Sequence, residues 1–129
     1  MTSLMLAEAL EAPSRIAALL ASDPAATEAA GARLRADRPR FAITIARGSS
    51  DNAAAFASYL IGSRTGIVTA SLPPSLETLQ HADLDLAHSL AIGISQSGRS
   101  PDIVAPVRRA RERGALTIAI VNQAGSPLA

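Results

Sequence analysis

The chain has no cysteine and no tryptophan, and only three aromatic residues, two Phe and one Tyr, among 129. The first absence excludes disulfides, thiolate nucleophiles and cysteine-based metal sites, and fits a protein of the reducing cytosol. The scarcity of aromatics means that the core must be built from Ala, Leu, Ile and Val, with close approach of helices to strands. Charge of one sign is also missing: the net charge is +1 and no basic-aromatic interleaving occurs, so nucleic-acid binding has little electrostatic support. The one basic cluster, Arg108-Arg109-Ala110-Arg111-Glu112-Arg113, falls in the last turns of an expected helix, where cations suit the negative dipole end. No apolar run approaches the ~20 residues of a membrane span. The N-terminus lacks the basic start of a signal peptide. We read the protein as soluble and cytoplasmic.

What is present is an ordinary globular composition, 48% hydrophobic and 18% charged, in a length that suits one domain with one core. Residues 3–21 have helical apolar spacing, with Pro13 expected to break or restart the helix. Asp23-Pro24 marks the next start, Asp as N-cap and Pro in the first turn, and that helix runs to about Arg35. From there apolar strands alternate with helices. Strands are expected at 41–46, 66–70, 89–94 and 115–121. Helices are expected at 51–61, near 76–81 and at 101–113, with 62–66 an exit loop and Gly114 a stop. Short, β-branched, non-alternating strands between helices argue a parallel sheet covered on both faces. The fold class is α/β, a three-layer doubly wound sheet. We divide the chain into a helical lead-in, 1–38, and a sheet domain, 39–129.

The chemistry concentrates in two strand-turn-helix junctions. Ser95-Gln96-Ser97-Gly98-Arg99-Ser100 lies directly before a helix that opens on Pro101-Asp102. Backbone N–H groups at a helix N-terminus point at an anion, the dipole adds about half a positive charge, and Ser and Gln side chains complete a cradle without lysine. Arg47-Gly48-Ser49-Ser50 is the matching turn after the first strand. Ligands of open parallel sheets bind at the carboxyl ends of strands where the strand order reverses, so the two turns converge if the first strand lies between the second and third. Ser50, Ser95, Gln96, Ser97 and Ser100 are the candidate phosphate ligands. Gly48, Ser49 and Gly98 are close by, and Ser100 doubles as N-cap. Arg47 and Arg99 either add a charge-assisted contact or point to solvent. Serine-rich turns also serve simply as helix caps, and that reading stays open for either turn alone. Neither turn has the lysine and glycine spacing of a Walker A loop or the G-x-G-x-x-G fingerprint.

The Ser-Gln-Ser-Gly-x-Ser run with its preceding Gly-Ser-Ser turn resembles the SIS (sugar isomerase) domain family. Within it, the chain is similar to the isomerase half of glutamine–fructose-6-phosphate amidotransferases and to glucosamine-6-phosphate deaminases. Met5-x-x-Glu8-x-x-Glu11-x-Pro13, 114–122 and Ala124-Gly125-Ser126-Pro127-Leu128-Ala129 extend the resemblance along nearly the whole chain. It implies a flavodoxin-like sheet of five strands, of which this chain reaches only four. It also implies a hexose or hexosamine 6-phosphate as ligand, held by Ser50, Ser95, Gln96, Ser97 and Ser100. The family needs no cofactor and no metal. Its members work as homo-oligomers or with a second SIS domain, which this chain would lack. Amidotransferases carry Cys where this chain has Arg47 and Glu where it has Arg99, and their glutaminase domain has no counterpart here, so the deaminase-type branch fits better. The family's general base and ring-opening histidine match no position, so the catalytic residues are unknown. Glu77 and His81 are read as a solvated pair, Asp51 and Asp102 as dipole partners of their helices, and His88 as no metal ligand.

The expected function is therefore a phosphosugar-binding SIS domain of an amino-sugar phosphate isomerase or deaminase, converting glucosamine 6-phosphate to fructose 6-phosphate and ammonia. The alternatives are a non-catalytic phosphosugar-sensing module and an inactive fragment.

Overall fold

A computed structural model of the chain describes residues 3–22 and 24–129. It divides into two compact units, Met1–Asp37 and Arg38–Ala129.

The first unit contains α1 (Leu4–Leu20) and α2 (Ala25–Ala36). Ser3 caps α1, its Oγ accepting from the Leu6 N–H at 3.2 Å. Contrary to expectation, α1 passes through Pro13 without a break. Proline there removes one donor and leaves a carbonyl of the preceding turn unbonded. No residue of α1 is buried, so water can take up that carbonyl. The proposed cap Asp23 lies outside the described residues. Pro24 is itself the N-cap of α2, so the helix begins one position later than expected, and its carbonyl accepts from the Glu28 N–H at 2.8 Å. No residue of α2 is buried either.

The second unit runs β1 (Phe41–Ile45), α3 (Ser49–Thr65), β2 (Thr69–Ser71), α4 (Pro74–Thr78), β3 (Ser89–Ser95), α5 (Pro101–Glu112) and β4 (Leu116–Val121). The four strands form one parallel sheet in the order β2-β1-β3-β4. The path from β1 to β2 steps one way along the sheet and the path from β3 to β4 steps the other. Right-handed crossovers then place α3 and α5 on opposite faces. This is the doubly wound α/β fold.

Alternate strand residues face alternate sides, and the register sorts the core accordingly. Ile43 and Ile45 of β1 pair with Ala91 and Gly93 of β3. Ile43, Ile45 and Ala91 join Ile103, Val107 and Ala110 of α5 in the buried cluster. Gly93 permits that packing, because a Cβ there would lie 2.7 Å from Val107 Cγ2. The opposite face is lined by small buried residues, Ala42 and Thr44 of β1 and Ala54 of α3. A core poor in aromatics is thus achieved by close approach rather than bulk.

α3 is longer than its expected span. It starts at Ser49 and runs through Gly62 to Thr65, where Gly66 takes a left-handed φ of 70° and donates its N–H to Gly62 O at 3.0 Å. A glycine inside a helix costs only about 1 kcal/mol relative to alanine, so Gly62 is tolerated and Gly66 is the true stop. The extra turn consumes the expected exit loop, and β2 begins at Thr69, three residues later than expected, and is three residues long.

Candidate functional site

The two serine turns meet at the carboxyl ends of neighbouring strands, as the order β2-β1-β3-β4 requires. A cleft of about 280 Å³ opens there. Ser49 and Ser50 line it from the start of α3, and Ile94, Ser95 and Gln96 line it from the end of β3. Ala53, Ile120 and Asn122 complete it. Gly48, with φ 60° and ψ −133°, turns β1 into α3 and stands at the N-cap without a side chain; its carbonyl accepts from the Asp51 N–H at 3.0 Å, and the N–H groups of Ser49 and Ser50 are left without an intrahelical acceptor.

The loop after β3 is shaped by its own hydroxyls. Ser95 Oγ accepts from the Gly98 N–H at 3.1 Å, and Ser97 Oγ accepts from the Arg99 N–H at 3.3 Å. Each hydroxyl keeps its proton free to donate elsewhere. Ser100 is the N-cap of α5, but its side chain makes no capping hydrogen bond. Its carbonyl receives the N–H groups of Ile103 and Val104, both at 3.0 Å. Ser97, Gly98 and Ser100 belong to this loop without lining the cleft itself. Arg99 is exposed. Arg47 is ion-paired with Asp102 in the first turn of α5, so Asp102 has a partner besides the helix dipole.

Four residues at the site were not expected to contribute: Ile120, Asn122, Ser126 and Leu128. Ile120 and Asn122 line the cleft. Asn122 donates its N–H to Gln96 O at 3.4 Å, and Leu128 donates its N–H to Gly98 O at 3.1 Å. Ser126 is buried against Gly98, where a Cβ would lie 2.1 Å from Ser126 Oγ. The 122–129 segment thus buttresses the loop. The usable signal was strand register: Ser95 pairs with Val121, which brings Asn122 alongside Gln96.

The solvated Glu77–His81 pair is not formed. Glu77 is fully buried. Its Oε1 accepts from Arg113 Nη1 at 3.0 Å, and its carbonyl accepts from Arg109 Nη1 at 3.1 Å. Arg113 also reaches Asp83 at 3.2 Å. The reason is local. The Pro73-Pro74 start sets a helix that ends at Thr78, so Glu77 faces α5 while His81 falls beyond the helix, exposed and with φ 50°. Two arginines of the basic cluster therefore hold α4 rather than a dipole end alone. His88 is exposed, with φ 58°. Among the described residues, no group of three or more His, Asp or Glu is placed to hold a metal, and no helix is long and apolar enough to cross a membrane.

No curated protein sequence matches the chain. Among solved structures, it is similar to a protein assigned to the phosphosugar isomerases from Silicibacter pomeroyi, with 42% identity and a TM-score of 0.87 over 92% of this chain and 36% of that one. The chain thus spans little more than a third of that relative. It is also similar to the sugar isomerase domain of an RpiR transcription factor from Sphaerobacter thermophilus, with 33% identity and a TM-score of 0.68 over 85% of this chain and 60% of that one. Glucosamine-6-phosphate deaminase from Thermotoga maritima shares the fold, with 24% identity and a TM-score of 0.62 over 74% of this chain and 30% of that one. The SIS domain model matches residues 38–129, the span that carries the sheet and both serine turns, and the chain belongs to the SIS domain family.

Proposed function

We propose that the cleft between the two serine turns binds a hexose or hexosamine 6-phosphate. The observation that carries this reading is convergence. Ser49 and Ser50 from one junction and Ser95 and Gln96 from the other line a single cleft at the strand-order reversal. In this reading the phosphate is held by N–H groups at the start of α3 and by the hydroxyls of Ser50 and Ser95, with the Gln96 amide beside them, while Ser97 and Ser100 flank the cleft from the loop after β3. Anchoring a remote phosphate lets binding energy orient the sugar carbons against an acid–base pair.

The chemistry we assign to the whole protein is aldose–ketose isomerisation with loss of ammonia, from glucosamine 6-phosphate to fructose 6-phosphate. A carboxylate shuttling a proton between C1 and C2 performs it without a metal or an organic cofactor. None of the residues lining the cleft titrates, so in this reading the 129 residues supply the anchor and the proton shuttle comes from elsewhere in a longer protein or from a second copy. The same lining favours, as a second reading, a sensing module that binds the phosphosugar and does no chemistry.

Incubation with glucosamine 6-phosphate separates these readings, with ammonia release and thermal melting both measured. A melting shift with ammonia supports the deaminase, and a shift without ammonia supports the sensor. The absence of a shift with glucosamine, glucose and fructose 6-phosphates would remove the phosphate site.

A further inference from the structure

The two arms of the cleft come from loops far apart in the sequence, one after β1 and one after β3. Backbone pairing of the two strands reaches Ile45 and Gly93 and stops short of both arms. Beyond it an ion pair spans the gap, Arg47 Nη1 to Asp102 Oδ2. Arg47 immediately precedes Gly48, the residue that turns the chain into α3. Asp102 lies in the first turn of α5, two positions after Ser100. Its side chain is 26% exposed and that of Arg47 is 68% exposed, so the arginine reaches over from solvent to a carboxylate seated at the helix end.

We propose that Arg47 and Asp102 form a strap that fixes the spacing of the two arms, and so act as positioning residues for a bound sugar phosphate. The second half of this inference rests on the phosphosugar reading. Simple electrostatics gives the opposite expectation for Asp102. A carboxylate beside an anion site repels the anion, so neutralising it on charge grounds alone would tighten binding. A strap predicts weaker binding, because the freed Arg47 no longer holds the β1–α3 turn against α5. Exposed ion pairs contribute little to global stability, so the effect belongs in affinity and loop exchange rather than in the melting temperature.

The test uses the full chain with Asp102→Asn, Arg47→Ala and the double variant. Without ligand, Asp102→Asn is expected to speed amide hydrogen exchange at residues 48–51, on the far side of the pair. With fructose 6-phosphate in calorimetry, Asp102→Asn is expected to weaken binding about threefold, in keeping with an exposed pair. In the Arg47→Ala background the same substitution should no longer weaken it. Tighter binding by Asp102→Asn, independent effects in the double variant, or unchanged exchange at 48–51 would overturn the strap. If the exchange coupling is found and the wild-type chain binds no hexose phosphate, the tie between the loops stands and the phosphosugar reading falls.

Discussion

Gly98 carries the tightest constraint at the site. Its φ is 62°, and a Cβ would lie 2.1 Å from Ser126 Oγ and 2.6 Å from Ser126 Cβ. Gly98→Ala is expected to lower stability by about 2 kcal/mol, from left-handed strain together with overpacking, and to loosen the 95–100 loop. Denaturant unfolding measures the first effect, and, in the phosphosugar reading, weaker fructose 6-phosphate binding reports the second. Ser126→Gly in the same chain should recover part of the stability, because it removes the atoms in collision but not the strained φ. Ser97 makes a milder case. Its Oγ accepts an N–H within the loop and has a proton left to donate. If that proton meets a phosphate oxygen, Ser97→Ala weakens binding by about 1–2 kcal/mol, a loss of roughly five- to thirtyfold in Kd. An unchanged Kd would reduce Ser97 to a turn residue.

Among the elements, α4 shows how much a short helix can depend on one buried charge. Glu77 is fully buried and pairs with Arg113, whose side chain is 28% exposed, while Arg109 holds the Glu77 carbonyl. Removing one partner of a buried pair leaves the other uncompensated. Glu77→Ala is therefore expected to cost about 2–3 kcal/mol, less than a fully buried partner would, because Arg113 can still turn to water. A midpoint shift in urea with an unchanged slope would confirm it. None of this was visible in the sequence, where Glu77 and Arg113 are separated by the whole of β3 and α5 and show only as a carboxylate and a basic run. β1, β3, α5 and β4 were legible to within about a residue, because short β-branched runs and the Ser100-Pro101 start carry their own local signals. The end of α3 was not, since Gly62 and Gly66 read alike until the backbone shows which one takes a positive φ. Pro13 misled in the same way: the carbonyl it leaves unbonded lies on a helix with no buried residue, where water can take it up, so α1 continues despite the lost donor. At the cleft, clustering in the sequence marked Ser49, Ser50, Ser95 and Gln96, which line it, and also Ser97 and Ser100, which do not. It did not mark Asn122 and Ser126, because their role depends on register with β3.

For the molecule as a whole, every buried hydrophobic residue among the described residues lies between Ala42 and Leu128, and the family match covers that span. A shortened chain, residues 38–129, is expected to keep a melting temperature within a few degrees of the full chain and to keep its phosphosugar affinity. A fall of ten degrees or more would show that the helical lead-in stabilises the sheet unit. The pairing of β1 with β3 has a consequence for the way the cleft comes into being. Both arms hang on a parallel contact between segments that are distant along the chain, the kind of contact that closes late because loop entropy must be overcome first. A peptide carrying either arm has half a cradle, and an unfolded chain has none. In the phosphosugar reading, an anion that fits the cleft therefore recognises only the finished topology and acts as a chemical clamp on folding itself. Saturating fructose 6-phosphate is expected to raise stability with the logarithm of its concentration and to slow unfolding while leaving refolding nearly unchanged, a pattern that stopped-flow traces with and without the sugar would display.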